Sequence, residues 1–364
     1  MLRRLLKNIL PTSLYWRLRT YYVAIARAIA TGNPPGDTKR LIIFLTPGIN
    51  HPGGGVLSIA SLLQESRELK SVHEAEVIWC TIPGDPPLFK YSWFKNRLYL
   101  QDLETVLNNC RKLHSLMIHI PEYAVNRVTE WISAHGQKFI DGIPNVQLNV
   151  LLQNIDQARD QNLAALKGFG KVTCTTAHEA YSTVQMREKL GMPLHRMSVF
   201  ISPEQYDRKS YGEKENMLIY SPDEHPMKKS VLAAIANQHP DLKLQMIRGL
   251  SYEEFKQLIA RAKWSLTFGE GLDGYFAEPV FSGSVSFAVF NPRFFTPAFA
   301  NLDTVYPSWD VLMDKIPKDL ETYDQPQAYS RCWKTCYDLL ANLYDVRRYR
   351  ENLRKFYLGN YTFP

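Results

Sequence analysis

Thr267-Phe-Gly-Glu-Gly-Leu-Asp-Gly-Tyr-Phe-Ala-Glu-Pro-Val-Phe-Ser-Gly283 runs out of a strand, through a glycine-rich loop and into a helix. The strand is Trp264–Phe268, and the helix is expected around 276–282. Two carboxylates, Glu270 and Glu278, stand eight positions apart in this stretch. The first follows the strand, and the second falls in the opening turns of the helix. Gly269, Gly271 and Gly274 let the backbone approach a ligand closely between them. A helix N-terminus aimed at such a loop favours a phosphate. One carboxylate can then accept bonds from sugar hydroxyls at one end of the ligand, and the other from a ribose at the opposite end.

The same strand-then-helix alternation extends in both directions. Downstream, Val285–Phe290 reads as the next strand. Upstream come strand Asn216–Tyr220, helix Met227–Asn237, strand Leu242–Ile247 and helix Tyr252–Lys263. An earlier cycle opens with Leu41-Ile-Ile-Phe-Leu45, a continuous apolar run suited to a strand buried on both faces. A glycine-rich turn at Pro47–Gly55 leads into a helix from Val56 to about Ser66, and strands follow at Glu76–Thr81, Leu116–Ile120, Leu148–Leu152 and Val172–Thr175. Helical stretches separate them around 101–113 and 123–135. Alternating strands and helices imply parallel sheets covered on both sides. The charged stretch Asp207–Glu215 separates the two cycles, which predicts domains at 38–206 and 207–328 with the ligand in a cleft between them. Residues 1–37 form basic amphipathic helices and a linker, and 329–364 a C-terminal helix packing back across the domains.

The pattern Glu-x7-Glu, with Gly271 after the first Glu and Ser282-Gly283 after the second, resembles the signature of retaining GT-B glycosyltransferases of family 4. The resemblance implies a GT-B fold: two Rossmann-like domains facing across a cleft. It puts Glu270 beside the donor sugar, Glu278 on the nucleotide ribose and Gly271 near the donor. Asp273 stands where that family has a second Gly, and Pro279 where it has Ala. Because proline is tolerated only in a helix's first turn, the helix is expected to begin late or to kink. By the same resemblance, Gly54 and Gly55 of His51-Pro-Gly-Gly-Gly55 face the donor pyrophosphate or the acceptor. His119, in Ile118-His-Ile-Pro-Glu122, contacts the donor sugar. Lys228 or Lys229, with Arg248 as a second candidate, neutralises the diphosphate.

Composition narrows the class. The 364 residues carry 43 Lys and Arg against 36 Asp and Glu, a formal charge of +7 that suggests an anionic partner. The basic residues gather at the two ends with no nucleic-acid reading motif, so nucleic acid is not expected. Residues 1–31 mix Arg3, Arg4, Lys7, Arg17 and Arg19 with Leu, Trp and Tyr, a pattern that predicts contact with an anionic membrane surface. Five cysteines without a secretory signal predict reduced thiols and a cytoplasmic chain, peripheral on the inner face of the membrane. There is no Asp-x-Asp and no metal-ligand spacing, so the expected reaction needs no metal and no cofactor beyond a nucleotide-sugar co-substrate.

The resulting expectation is a retaining glycosyltransferase of surface polysaccharide or glycolipid assembly, with a saccharide or lipid-linked acceptor. The alternatives are a sugar-nucleotide epimerase or inverting GT-B enzyme, for which His51, His119 or Glu122 could supply an acid or base, and a non-catalytic GT-B-like binding protein.

Overall fold

The computed structural model describes residues 36–51, 53–199 and 201–364, together with Pro11, Ser13, Leu14, Arg17 and Leu18. Apart from those five, residues 1–31, for which composition predicts contact with a membrane surface, lie outside the described residues. No helix among the described residues is long and apolar enough to cross a membrane.

The chain divides into two compact units. The first comprises Met1–Thr175, Glu188–His195 and Arg354–Pro364, and the second Thr176–Arg187 and Arg196–Leu353. The chain enters the second unit at Thr176, returns to the first for Glu188–His195 and enters the second again at Arg196, ahead of the charged stretch expected to separate the domains. The last eleven residues belong with the first unit.

In the first unit, seven strands form one sheet in the order β3-β2-β1-β4-β5-β6-β7. They are β1 (Arg40–Thr46), β2 (Glu76–Thr81), β3 (Leu100–Gln101), β4 (Ser115–Pro121), β5 (Asn145–Leu152), β6 (Lys171–Thr176) and β7 (Leu194–Arg196). Around the centre the pairing is parallel, with Ile43 opposite both Ile78 and Ile118. Ile43, Phe44 and Leu45 have no solvent exposure, which is why β1 reads as an uninterrupted apolar run rather than an alternating one. Helix α1 (Gly54–Glu68) follows β1 and buries Ile59, Leu62 and Leu63. The end of the chain is tied into this unit. The Tyr357 hydroxyl lies 2.6 Å from Ser66 Oγ, Gln147 Nε2 donates to the Tyr361 hydroxyl at 3.1 Å, and Phe363 bridges antiparallel to Leu194.

The second unit holds a five-stranded parallel sheet in the order β12-β11-β10-β8-β9. Its strands are β8 (Glu215–Tyr220), β9 (Lys243–Met246), β10 (Ala262–Leu266), β11 (Val285–Val289) and β12 (Val305–Tyr306). The helices are α2 (Lys228–Gln238), α3 (Tyr252–Arg261), α4 (Gly274–Phe281), α5 (Trp309–Tyr323), α6 (Pro326–Leu343) and α7 (Val346–Tyr357), the last of which runs on into the first unit. Leu218, Val231, Ile235, Trp264, Phe287 and Ile316 form the core on one side of the sheet. The single C-terminal helix expected after residue 329 is two. The Asp345 carboxylate accepts from the Arg347 and Arg348 amides at 2.7 and 3.1 Å, which starts a new helix just after α6 ends.

Candidate functional site

Counted from β8, the second sheet has the order 2-1-3-4-5, which reverses between β8 and β10. In open parallel sheets, ligands settle outside the carboxyl ends of the two strands flanking that reversal, because the chain leaves them toward opposite sides. The segments there are Ser221–Asp223 and Thr267–Gly274, the latter being the glycine-rich loop.

The loop is pinned at its base. The Phe268 amide donates to Ser221 Oγ at 2.9 Å, and Thr267 Oγ1 donates to Asp273 Oδ2 at 2.6 Å. Asp273 also caps α4, its Oδ1 accepting from the Phe276 amide at 3.0 Å. Asp273, one of the two departures from the pattern that the loop resembles, is thus the residue that starts the helix. It starts early, at Gly274, rather than late, leaving Pro279 in the second turn, where the ring removes a bond to the Tyr275 carbonyl. The expectation that the helix begins late or kinks rests on confining the proline to the first turn.

Gly269 sits between two carboxylates. A Cβ there would lie 2.7 Å from Asp223 Oδ2 and 3.0 Å from Asp273 Oδ2. Burial pushes the Asp273 pKa up to about 7, against the Thr267 bond, and the negative Asp223 and Glu270 add to the rise. Glu270 itself is half-buried in the loop. Gly271 has a φ of +91°, and a Cβ there would meet Phe295 Cε2 at 2.6 Å and the Val289 carbonyl at 2.9 Å. Only glycine fits both the backbone angle and the space.

Glu278 lies on α4, 8% exposed. Its Oε2 accepts from the hydroxyls of Tyr206 and Tyr252, each at 2.9 Å, and those hydroxyls are 3.1 Å apart. Burial is the main cause that raises its pKa to about 7; the two phenols oppose the rise, as does Lys256. Lys228, the first residue of α2, is buried, and its ammonium donates to the carbonyls of Ser221 at 3.2 Å and Asp223 at 2.7 Å. It stands 5.5 Å from the ring centres of Tyr220 and Phe268. Lys229 and Arg248 are exposed, Arg248 just beyond β9.

The second unit thus brings Glu270, Gly271, Glu278 and Lys228 to one sheet end. His119, Gly54 and Gly55 belong to the first unit, whose order reverses between β1 and β4. Gly54 opens α1 just beyond β1, with space around it, while a Cβ on Gly55 would meet Gln153 Oε1 at 2.8 Å. His119 has no exposure. Its ring stacks on Phe44 at 4.2 Å, Tyr357 approaches edge-on, and Nδ1 lies 3.0 Å from Asn149 Nδ2. Burial lowers its pKa to about 3, so the ring is neutral. Glu122 is buried too, accepting from the Asn154 and Gln153 amides at 2.9 and 3.2 Å, with a pKa raised by burial to about 7.

Tyr206, Tyr252 and Asp223 were not singled out in the sequence. Ser251-Tyr-Glu-Glu254 is a capping box that places Tyr252 at the first position of α3, so half of that contact had a local signal. Tyr206 reaches Glu278 across 72 residues and had none.

No protein-family model matches the chain, and a search of curated proteins finds no match. Solved structures do match. HepE of Anabaena in complex with UDP and glucose aligns with a TM-score of 0.55 at 10% identity, over 88% of this chain and 100% of that one. An α-glucosyltransferase in complex with UDP and a 13-mer DNA gives 0.55 at 11%, over 88% and 99%. Sucrose-phosphate synthase from Thermosynechococcus elongatus gives 0.55 at 9%, over 88% and 99%. At such identities the likeness speaks for architecture. With two Rossmann-like units, each built on a sheet whose strand order reverses once, the chain has the GT-B fold.

Proposed function

We propose that this chain is a glycosyltransferase that moves a sugar from a nucleotide-sugar donor to an acceptor. The observation that carries the reading is Glu278. It is a buried carboxylate fixed by two phenols at the carboxyl end of β10, beside the point where a sheet of this order takes its ligand. In this reading Glu278 accepts from the ribose and Glu270 from the donor sugar. The amides around Gly271, the Lys228 ammonium and the start of α4 stabilise the charge that grows on the leaving diphosphate. The solved neighbours add support, since two of the three cited hold UDP. Transfer with retention, and an acceptor that is a saccharide or a lipid-linked glycan of surface polysaccharide assembly, rest on the Glu-x7-Glu resemblance. The basic, aromatic composition of residues 1–31 is the ground for a place on the cytoplasmic face of a membrane.

The test is a thermal-shift panel of UDP, GDP and their sugars on the full chain and on Glu278→Ala. The wild type should be stabilised by at least one nucleotide. The variant should lose about 10- to 100-fold in affinity, the worth of a hydrogen bond to a charged group. A wild type that responds to none of them refutes the proposal. One observation favours a second reading, that of a non-catalytic GT-B-like binding protein: Asp223 and Asp273 converge on Gly269, where a diphosphate would meet negative charge. Nucleotide binding without turnover on any sugar would select it.

A further inference from the structure

Resting on the donor-site reading above, the geometry around Glu278 says more about how a nucleotide is gripped. We propose that Tyr206 and Tyr252 are positioning residues that occupy one oxygen of Glu278 completely, so that the nucleotide is held through the other oxygen by only one of its two ribose hydroxyls.

A carboxylate oxygen offers two lone-pair sites in its plane. Both sites of Oε2 are filled, by the Tyr206 and Tyr252 hydroxyls at 2.9 Å each. These phenols cannot easily turn away. Tyr206 is 8% exposed and packs on Phe281, and Tyr252 is held at the first position of α3 by the Ser251–Glu254 capping box. Oε1, by contrast, makes no hydrogen bond to the described residues. It faces Gly274, where a Cβ would come within 2.7 Å of it. The absence of a side chain at the first residue of α4 therefore keeps Oε1 open, and the backbone there is not in the left-handed region, so no turn geometry demands glycine. A free cis-diol normally engages both oxygens of a carboxylate. Here the pair of phenols stands where the second hydroxyl would bind, and the contact becomes one-sided.

The experiment is calorimetric titration of the full chain with UDP and GDP and with the 2′-deoxy and 3′-deoxy forms of each. One deoxy form should lose at least about tenfold in affinity and the other less than about threefold, as expected for a single charged hydrogen bond. Gly274→Ala, whose Cβ would come within 2.7 Å of Oε1, should bind as weakly as Glu278→Gln. Equal losses for both deoxy forms overturn the proposal. If neither UDP nor GDP binds the wild type, the donor-site reading itself fails, which is a separate outcome.

A second measurement needs no nucleotide. The groups that face the Glu278 carboxyl are Tyr206, Tyr252, Lys256 and Asp273. Phenols that donate to the ionised form hold the pKa down. In ¹³C NMR titrations, with the signal assigned through Glu278→Gln, Tyr206→Phe and Tyr252→Phe should each raise the Glu278 pKa. A purely space-filling role for the two rings leaves that pKa where it was, and that result also overturns the proposal.

Discussion

Replacing Asp273 with Asn should stabilise the protein in alkaline solution and leave it unchanged in acid. Asn is as good a helix cap as Asp, and its oxygen can still accept from the Phe276 amide while its amide donates to Thr267 Oγ1. Only the charge disappears. The Asp273 carboxyl titrates in the folded chain near 7 instead of its ordinary 3.8. Between those values the native state keeps a proton that the unfolded chain has given up. This contribution is therefore greatest below about pH 4, declines as pH rises toward 7 and is flat above. About three pH units at about 1.4 kcal/mol each give about 4 kcal/mol. Asp273 is a half-buried residue, so water screens part of this, and about 2 kcal/mol is the expected gain at pH 8. Urea unfolding of both proteins at several pH values checks it: the difference should be near zero below about pH 4 and approach that figure by pH 8. The same variant should bind a nucleoside diphosphate more tightly, since one of the charges around Gly269 is gone. A difference that does not vary with pH, or an Asn variant weaker than wild type at pH 8, would refute the assignment of that buried charge.

Three further outcomes follow from the second unit. Gly271→Ala forces a side chain into a left-handed angle and against Phe295, and should cost about 1–3 kcal/mol in thermal unfolding with loss of donor binding. Lys228→Met withdraws the ammonium from the Ser221 and Asp223 carbonyls, and should weaken nucleotide binding at least about tenfold by calorimetry. Lys214 is buried, with its pKa lowered by burial to about 7, and donates to the carbonyls of Ile259, Ala260 and Ala262 and to Ser284 Oγ. Lys214→Met strands those acceptors at the end of α3 and should lower stability by about 3 kcal/mol, read as a drop in melting temperature.

The strands were the legible part of this fold, for a physical reason. The strand expected at Glu76–Thr81 has those ends, and Leu41–Leu45, Leu116–Ile120 and Val172–Thr175 each lie within the strand found, because two-sided burial writes itself as apolar runs. Leu100–Gln101, Leu194–Arg196 and Val305–Tyr306 span two or three residues, too few for any periodicity to show. The helical stretch expected around 123–135 is a short 3₁₀ turn, an α-helix Val125–Trp131 and a π-helical turn Ile132–Gly136, a winding that side-chain pattern does not encode. Of the site, the two glutamates and the glycines were visible as a local pattern. What fixes Glu278 was not, because Tyr206 and Tyr252 come from distant parts of the chain and meet it only through the tertiary fold.

The return of residues 354–364 to the first unit sets an order on how the protein is made. Tyr357, Tyr361 and Phe363 close onto Ser66, Gln147 and Leu194, yet a ribosome adds them after it has finished the whole second sheet. The earlier half must wait, incompletely sealed, through the synthesis of more than a hundred residues of its neighbour. Its folding is therefore tied to the arrival of the last residues rather than completed as it emerges.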